Sequence, residues 1–167
     1  MYVPFDQLPS HSRIWVYQAD RSFIREEEKI ISDTLSDFCA QWSAHGHPLQ
    51  TSFKIEFSRF VVLSVDESSA GASGCSIDGS VRMLKDLGAQ LHLDFFDRTK
   101  IAFLMEGEIQ ILPLTEIGFL FKSGKLSASS ITFNNLLADK VDWEKNWKTP
   151  AKKTWLSKYF PKSALSF

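Results

Sequence analysis

The chain has 167 residues, of which 44% are hydrophobic and 23% charged, and its formal net charge is −1. That is the balance of a folded globular protein long enough for a full hydrophobic core. It excludes any global electrostatic pull toward nucleic acid or an anionic membrane. Fourteen Phe and five Trp predict a core built on large rings.

The first ten residues, MYVPFDQLPS, lack the basic and apolar regions of a secretory signal, and no run approaches the roughly 18 apolar residues of a membrane span. Cys39 and Cys75 lie far apart without CxxC spacing. With no export signal, reduced thiols in a cytoplasm are expected. There is no internal repeat and no long linker. A single domain over 1–167 is therefore predicted, with an α+β core over 1–138 and a helical extension over 139–167 packed on it.

SRIWVYQA, residues 12–19, is rich in β-formers and predicts a strand. In the following stretch, Ile31, Leu35, Phe38 and Trp42 mark one face of a helix. Ser22 is a candidate cap, Glu26–Glu28 suit the first turns, and Gly46 is the stop. Residues 52–65 alternate and then become continuously apolar. They form either a hairpin turning at Ser58–Arg59 or one bent strand. A second helix is predicted from Cys75, with Ile77, Val81, Leu84, Gly88 and Leu91 on one face. TKIAFLM and EIQILPL predict a hairpin around Glu106–Gly107. A short helix capped by Thr115 and ended by Gly124 comes next. Residues 127–138 read as loop, a helical turn or two follows from Asp139, and TPAKKTWLSKYF predicts a closing helix with Pro150 near its start.

This order predicts a mainly antiparallel sheet with helices on one face. The arrangement is a ferredoxin-like split βαβ with a helical C-terminal addition. The sheet is expected to bury Trp15, Tyr17, Phe53, Ile55, Phe57, Val62, Leu63, Ile101 and Phe103 in part against Leu35, Phe38, Trp42, Val81 and Leu84.

Several segments together, MYVPFDQLP, WVYQADR, FCAQWSAHGHPL, VDESSAGASGCSIDGSV, DFFDRTKIAFL, TFNNLL and WLSKYF, resemble a family of small uncharacterised bacterial proteins common in Bacteroidetes. The resemblance covers nearly the whole chain. Members often bear the label "ABC transporter ATPase", but the family carries no established activity. The residues here argue against that label. GASGCSIDGS has glycines but no lysine of a G-x-x-x-x-G-K-[ST] loop, and its acids would repel a phosphate chain.

The densest group of reactive side chains lies in SVDESSAGASGCSIDGSV, residues 64–81. Cys75 falls at a predicted helix start, where backbone N–H groups stabilise a thiolate. His45 could serve as its base, with Asp66 or Glu67 orienting the imidazole. Against this, Asp78 would raise the thiol pKa, and a small cysteine at a tight helix start is a common packing choice. The competing expectation is therefore a sheltered Cys75, with Ser73 or Ser76 capping the helix and Asp78 complementing its dipole. The small residues of this loop also let backbone N–H groups approach a ligand. Asp66, Glu67, Ser73, Gly74, Ser76 and Asp78 are the candidate ligand-binding residues.

His45 and His47 in HGH, with Asp66 or Glu67, have the composition of a two-His-one-carboxylate metal site. A lone HxH before Pro48 reads better as a solvated turn, and the family pattern shares the first histidine more firmly than the second. No metal and no cofactor are expected. Asn134 and Asn135 fit a turn better than a pocket. From 140 to 162 there are seven Lys and two acids, interleaved with Trp143, Trp147, Trp155 and Tyr159. The favoured reading docks the tryptophans on the domain and leaves the lysines in water.

These residues favour a small cytoplasmic ligand- or protein-binding or regulatory domain whose functional edge is the 66–78 loop. Its partner is a small molecule or a protein, a second copy of the chain included, with no membrane role. A thiol-dependent enzyme using Cys75 with His45 is the first alternative, though no complete triad is legible. An RNA- or ribosome-associated protein is the second, disfavoured by bulk charge.

Overall fold

The computed structural model describes residues 1–162. The protein is mixed α+β, with antiparallel sheets, and it forms two compact units. The first comprises Met1–Asp97 with Asn135–Glu144. The second comprises Arg98–Asn134 and the chain from Lys145 onward.

In the first unit a 3-10 turn, Phe5–Gln7, precedes strand β1, Arg13–Gln18. Helix α1 runs Arg25–Gln41. Its N-cap is Ile24 rather than Ser22, because the Glu27 carboxylate folds back to accept the Ile24 N–H at 3.0 Å. The same carboxylate holds Arg21 in a fork of 2.8 and 2.9 Å, and Arg21 also donates to the Leu91 carbonyl at 2.8 Å. Those contacts place Glu27 far below its ordinary range, at about 2, chiefly through the Arg21 hydrogen bonds.

The helix ends before Gly46. Trp42 already has extended backbone, and two short strands, β2 at Ser43–Ala44 and β3 at His47–Pro48, form a tight hairpin. At its tip His45 and Gly46 have φ of 51° and 78°, the left-handed pair a two-residue turn requires.

Strands β4, Gln50–Glu56, and β5, Phe60–Asp66, are a hairpin, which resolves the alternative of one bent strand. Its turn is centred on Phe57 and Ser58, both left-handed, so Phe57 is 43% exposed rather than buried in the sheet. The sheet order is β1-β5-β4, all antiparallel neighbours. β1 and β4 therefore run the same way with β5 between them, joined through α1. After helix α2, Gly74–Leu91, the chain enters the second unit. No fourth strand lies beside β1 among the described residues, only a single bridge between Arg13 and Asp139.

Both edges of this sheet are engaged at one end. Val3 donates to Thr51 and Thr51 to Met1 along β4, while Ile14 donates to Ala138 and Lys140 to Ser12 along β1.

On one face of the sheet Val61, Leu63 and Val65 pack with Ile31, Leu35, Cys39 and Trp42 of the α1 segment and Leu84 and Leu87 of α2. Trp15, Tyr17, Phe38, Phe53 and Ile55 flank them. Val62 is fully buried but alternates away from this cluster. Val81 is only half-buried. The inward face of α2 is rotated to Ser76, Ser80, Leu84, Leu87 and Gly88. Small serines face inward because bulky rings lie opposite. The Trp42 Nε1–H donates to the Ser76 carbonyl at 2.9 Å, and Ser80 meets the half-buried Tyr17 hydroxyl.

On the other face the Lys54 ammonium lies 5.5 Å from the Phe5 ring and 5.8 Å from that of Trp143. Lys140 is not in water as expected. It is 5% exposed, donates to the Leu8 carbonyl at 2.8 Å and sits 5.3 Å from the Phe5 ring.

The second unit holds a four-stranded antiparallel sheet in the order β7-β6-β8-β9. Its strands are β6, Lys100–Met105; β7, Glu108–Pro113; β8, Ile131–Phe133; and β9, Lys148–Pro150. The β6–β7 turn is Glu106–Gly107, both left-handed at φ 52° and 80°. Ile101 and Phe103 belong to this unit's own core, with Ile117, Phe121, Leu126 and Leu156, and not to the cluster around Leu35.

Helix α3, Leu114–Lys122, starts from Pro113 with no side-chain cap, so Thr115 is inside it, and Gly124 at φ 81° follows its end. The loop expected over 127–138 contains β8. Helix α4, Lys140–Asn146, is present, but the closing helix is not. Pro150 lacks an N–H and ends the edge strand β9. Two 3-10 turns, Ala151–Lys153 and Trp155–Tyr159, then complete the described chain.

Candidate functional site

Strand β5 delivers Asp66 to the sheet end, and the loop that follows leads into α2. Asp66 is 9% exposed, and its Oδ1 accepts the Ser68 N–H at 3.0 Å and the Ser68 hydroxyl at 2.5 Å. The Ser68 hydroxyl is the chief cause holding this carboxyl below the usual carboxylate range. Burial works the other way, and the Ser68 N–H and His11 add to the lowering. His11 Nε2 lies 2.8 Å from Ser68 Oγ and 3.6 Å from Asp66 Oδ1.

This Ser-His-Asp cluster has the wrong proton order for a nucleophile. The serine has one hydroxyl proton, and the short contact commits it to the carboxylate. The serine oxygen is left to accept from His11 Nε2–H, so His11 is a donor here and not a base.

Glu67 closes the other side of the loop. Its Oε1 accepts the Ala72 N–H at 3.3 Å and lies 3.4 Å from Arg13 Nη1, whose guanidinium sits 4.7 Å from the Trp15 ring centre. Ser73 is the N-cap of α2 and accepts the Ser76 N–H at 3.2 Å, while the Ser76 hydroxyl donates back to the Ser73 carbonyl at 2.8 Å. Trp42 then pins this first turn from the opposite side.

Of the residues singled out in the sequence, Asp66, Glu67, Ser73 and Ser76 are brought together, but as the loop's own fasteners. Gly74, Cys75 and Asp78 are exposed. The expectation of a sheltered Cys75 is corrected: as the second residue of the helix its side chain faces outward, and Ser76 takes the buried position. Cys39 is the sheltered thiol, its pKa pushed up to about 11 by burial.

His45 is exposed at the β2–β3 turn, and no hydrogen bond joins it to Cys75 among the described residues. No group of three His, Cys, Asp or Glu among the described residues could hold a metal ion, which removes the His45–His47–carboxylate arrangement. Sequence reading missed His11, Arg13 and Ser68. Only the Asp66-x-Ser68 spacing, which favours a side-chain-closed turn, carried a local signal.

Comparison with protein-family models, with curated proteins and with solved structures returns no match. No helix among the described residues is long and apolar enough to cross a membrane.

Proposed function

We propose that the protein is a small ligand- or protein-binding or regulatory domain with its functional edge at residues 66–78. One observation carries this reading. The loop's acids are consumed in holding its shape, and what remains outward is the start of an eighteen-residue helix, with the Gly74 and Cys75 N–H groups unpaired among the described residues. A rigid loop presenting backbone donors suits recognition better than turnover. The resemblance to a small Bacteroidetes family without established activity fits this reading and adds no chemistry to it.

Amide-shift mapping of the isotope-labelled protein tests the proposal, first with a small-molecule cell extract and then across a dilution series that reports self-association. Perturbations concentrated in residues 66–78 support it. Perturbations concentrated elsewhere, or none in either titration, overturn it.

The exposure of Cys75 favours one second reading, a thiol-dependent enzyme with His45 as base. Turnover of an activated thioester or peptide ester that is lost in both Cys75→Ser and His45→Gln would select it.

A further inference from the structure

The near-zero charge of the chain conceals a division between its units. The first unit carries nine Lys and Arg against seventeen Asp and Glu, a formal −8. The second carries ten against three, a formal +7, and from Lys145 onward it has six lysines and no acid. Those six lysines, at 145, 148, 152, 153, 158 and 162, are all exposed. The second unit taken by itself therefore carries the excess of positive charge that a nucleic-acid partner requires.

Aromatic groups lie among these cations. Trp143 and Trp147 are buried as expected of docking residues, but Trp155 is 44% exposed. It leads the last 3-10 turn, where residues three apart share a face, so Lys158 stands beside it. The Lys158 ammonium lies 5.2 Å from the Trp155 ring centre and 5.2 Å from that of Tyr159, and the two rings meet edge-on at 6.0 Å. In the same unit a cavity of about 500 Å³ is lined by Phe121, Leu126, Ala128 and Phe160, with Ser127, Ser129 and Lys152 beside them.

We propose that the second unit binds single-stranded nucleic acid. Trp155 stacks on a base, and Lys152, Lys153 and Lys158 meet the phosphates. Stacking on an exposed ring between lysines is tolerant of sequence, and the lysines supply the salt-dependent part of the affinity. The surface is separate from the 66–78 loop and does not depend on that reading.

Fluorescence anisotropy of labelled oligo(U) and oligo(dT) with the full chain tests the proposal. Expected is binding at low salt that weakens with a log–log salt slope of about 2, the release from three phosphates at about 0.7 each. Trp155→Ala should weaken it roughly tenfold and Trp155→Phe restore most of that loss. Lys152→Glu with Lys158→Glu should flatten the slope. All three positions are at the surface, so unchanged thermal melts will show that the fold survives. Absence of binding at low salt overturns the proposal, as does binding indifferent to Trp155→Ala. Displacement of the oligonucleotide by polyglutamate at equal charge also overturns it, because the surface would then be a generic polyanion site suited to an acidic protein.

Discussion

The indole N–H of Trp42 donates to the main-chain carbonyl of Ser76 at 2.9 Å, across 34 residues of sequence, and so ties the end of α1 to the first turn of α2. Trp42 also packs tilted against Phe38 and Trp15 at 4.9 and 5.9 Å between ring centres. Trp42→Phe keeps much of the ring packing and removes the donor. It should cost about 1 kcal/mol in denaturant unfolding, the net worth of one hydrogen bond. Hydrogen exchange should rise first at residues 76–78. Unchanged protection there would separate this bond from the loop's rigidity.

Glu27 titrates at about 2 in the folded protein against an ordinary 4.5. A depressed carboxyl contributes stability that is complete above its unfolded pKa and is lost as pH falls toward the folded one. Glu27→Gln should therefore flatten the stability profile between about pH 4.5 and 2 and leave its shape above that window alone. Arg21 is 42% exposed, so salt should shrink the difference. Melting temperature against pH at two ionic strengths measures both effects.

The two thiols should label in opposite regimes. Cys75 is exposed, so iodoacetamide should modify it in the native protein. Cys39 has no exposed surface and a pKa pushed up to about 11, so it should react only on unfolding. Mass spectrometry of each cysteine peptide against time checks this. Slow native labelling of Cys75 would restore the sheltered reading.

Two glycines in α2 should respond with opposite sign to the same substitution. A Cβ on Gly88 would stand 2.5 Å from the Leu93 carbonyl oxygen, while one on Gly79 meets nothing within 4 Å. Gly88→Ala should destabilise by about 1–3 kcal/mol through overpacking. Gly79→Ala should stabilise by about 0.5–1 kcal/mol, because alanine loses less freedom in a helix. Urea midpoints of the two variants settle the pair.

Features written into local spacing were legible in the sequence. The face Ile31–Leu35 placed α1, and Glu106–Gly107 placed a turn. The inward face of α2 was not, because Ser76 and Ser80 are polar and a hydrophobic period passes over them. Their burial follows from Trp42 and Tyr17, which arrive from elsewhere in the chain. β8 and β9 are three residues each, too short to show alternation. Within the candidate site the cap at Ser73 could be read from type and position. The His11–Ser68 contact spans 57 residues and left no local trace. The charge division is hidden in the whole-chain net charge, where −8 and +7 nearly cancel, and it emerges only once the fold divides the chain into units.

The engaged edges of the β1-β5-β4 sheet bear on how copies of this chain can meet. A strand from outside adds to a sheet by taking up free main-chain donors and acceptors along an edge. Here the Met1–Val3 segment already occupies Thr51 on one side, and Ala138–Lys140 occupies Ser12 and Ile14 on the other. At this end of the sheet an incoming strand must first displace one of these segments, and on the β1 side that means dislodging Lys140 from its buried place at the Leu8 carbonyl. Growth of this sheet into a ribbon of stacked copies is opposed at that end of both edge strands, and the backbone of β1 and β4 beyond it is where a second copy would have to pair.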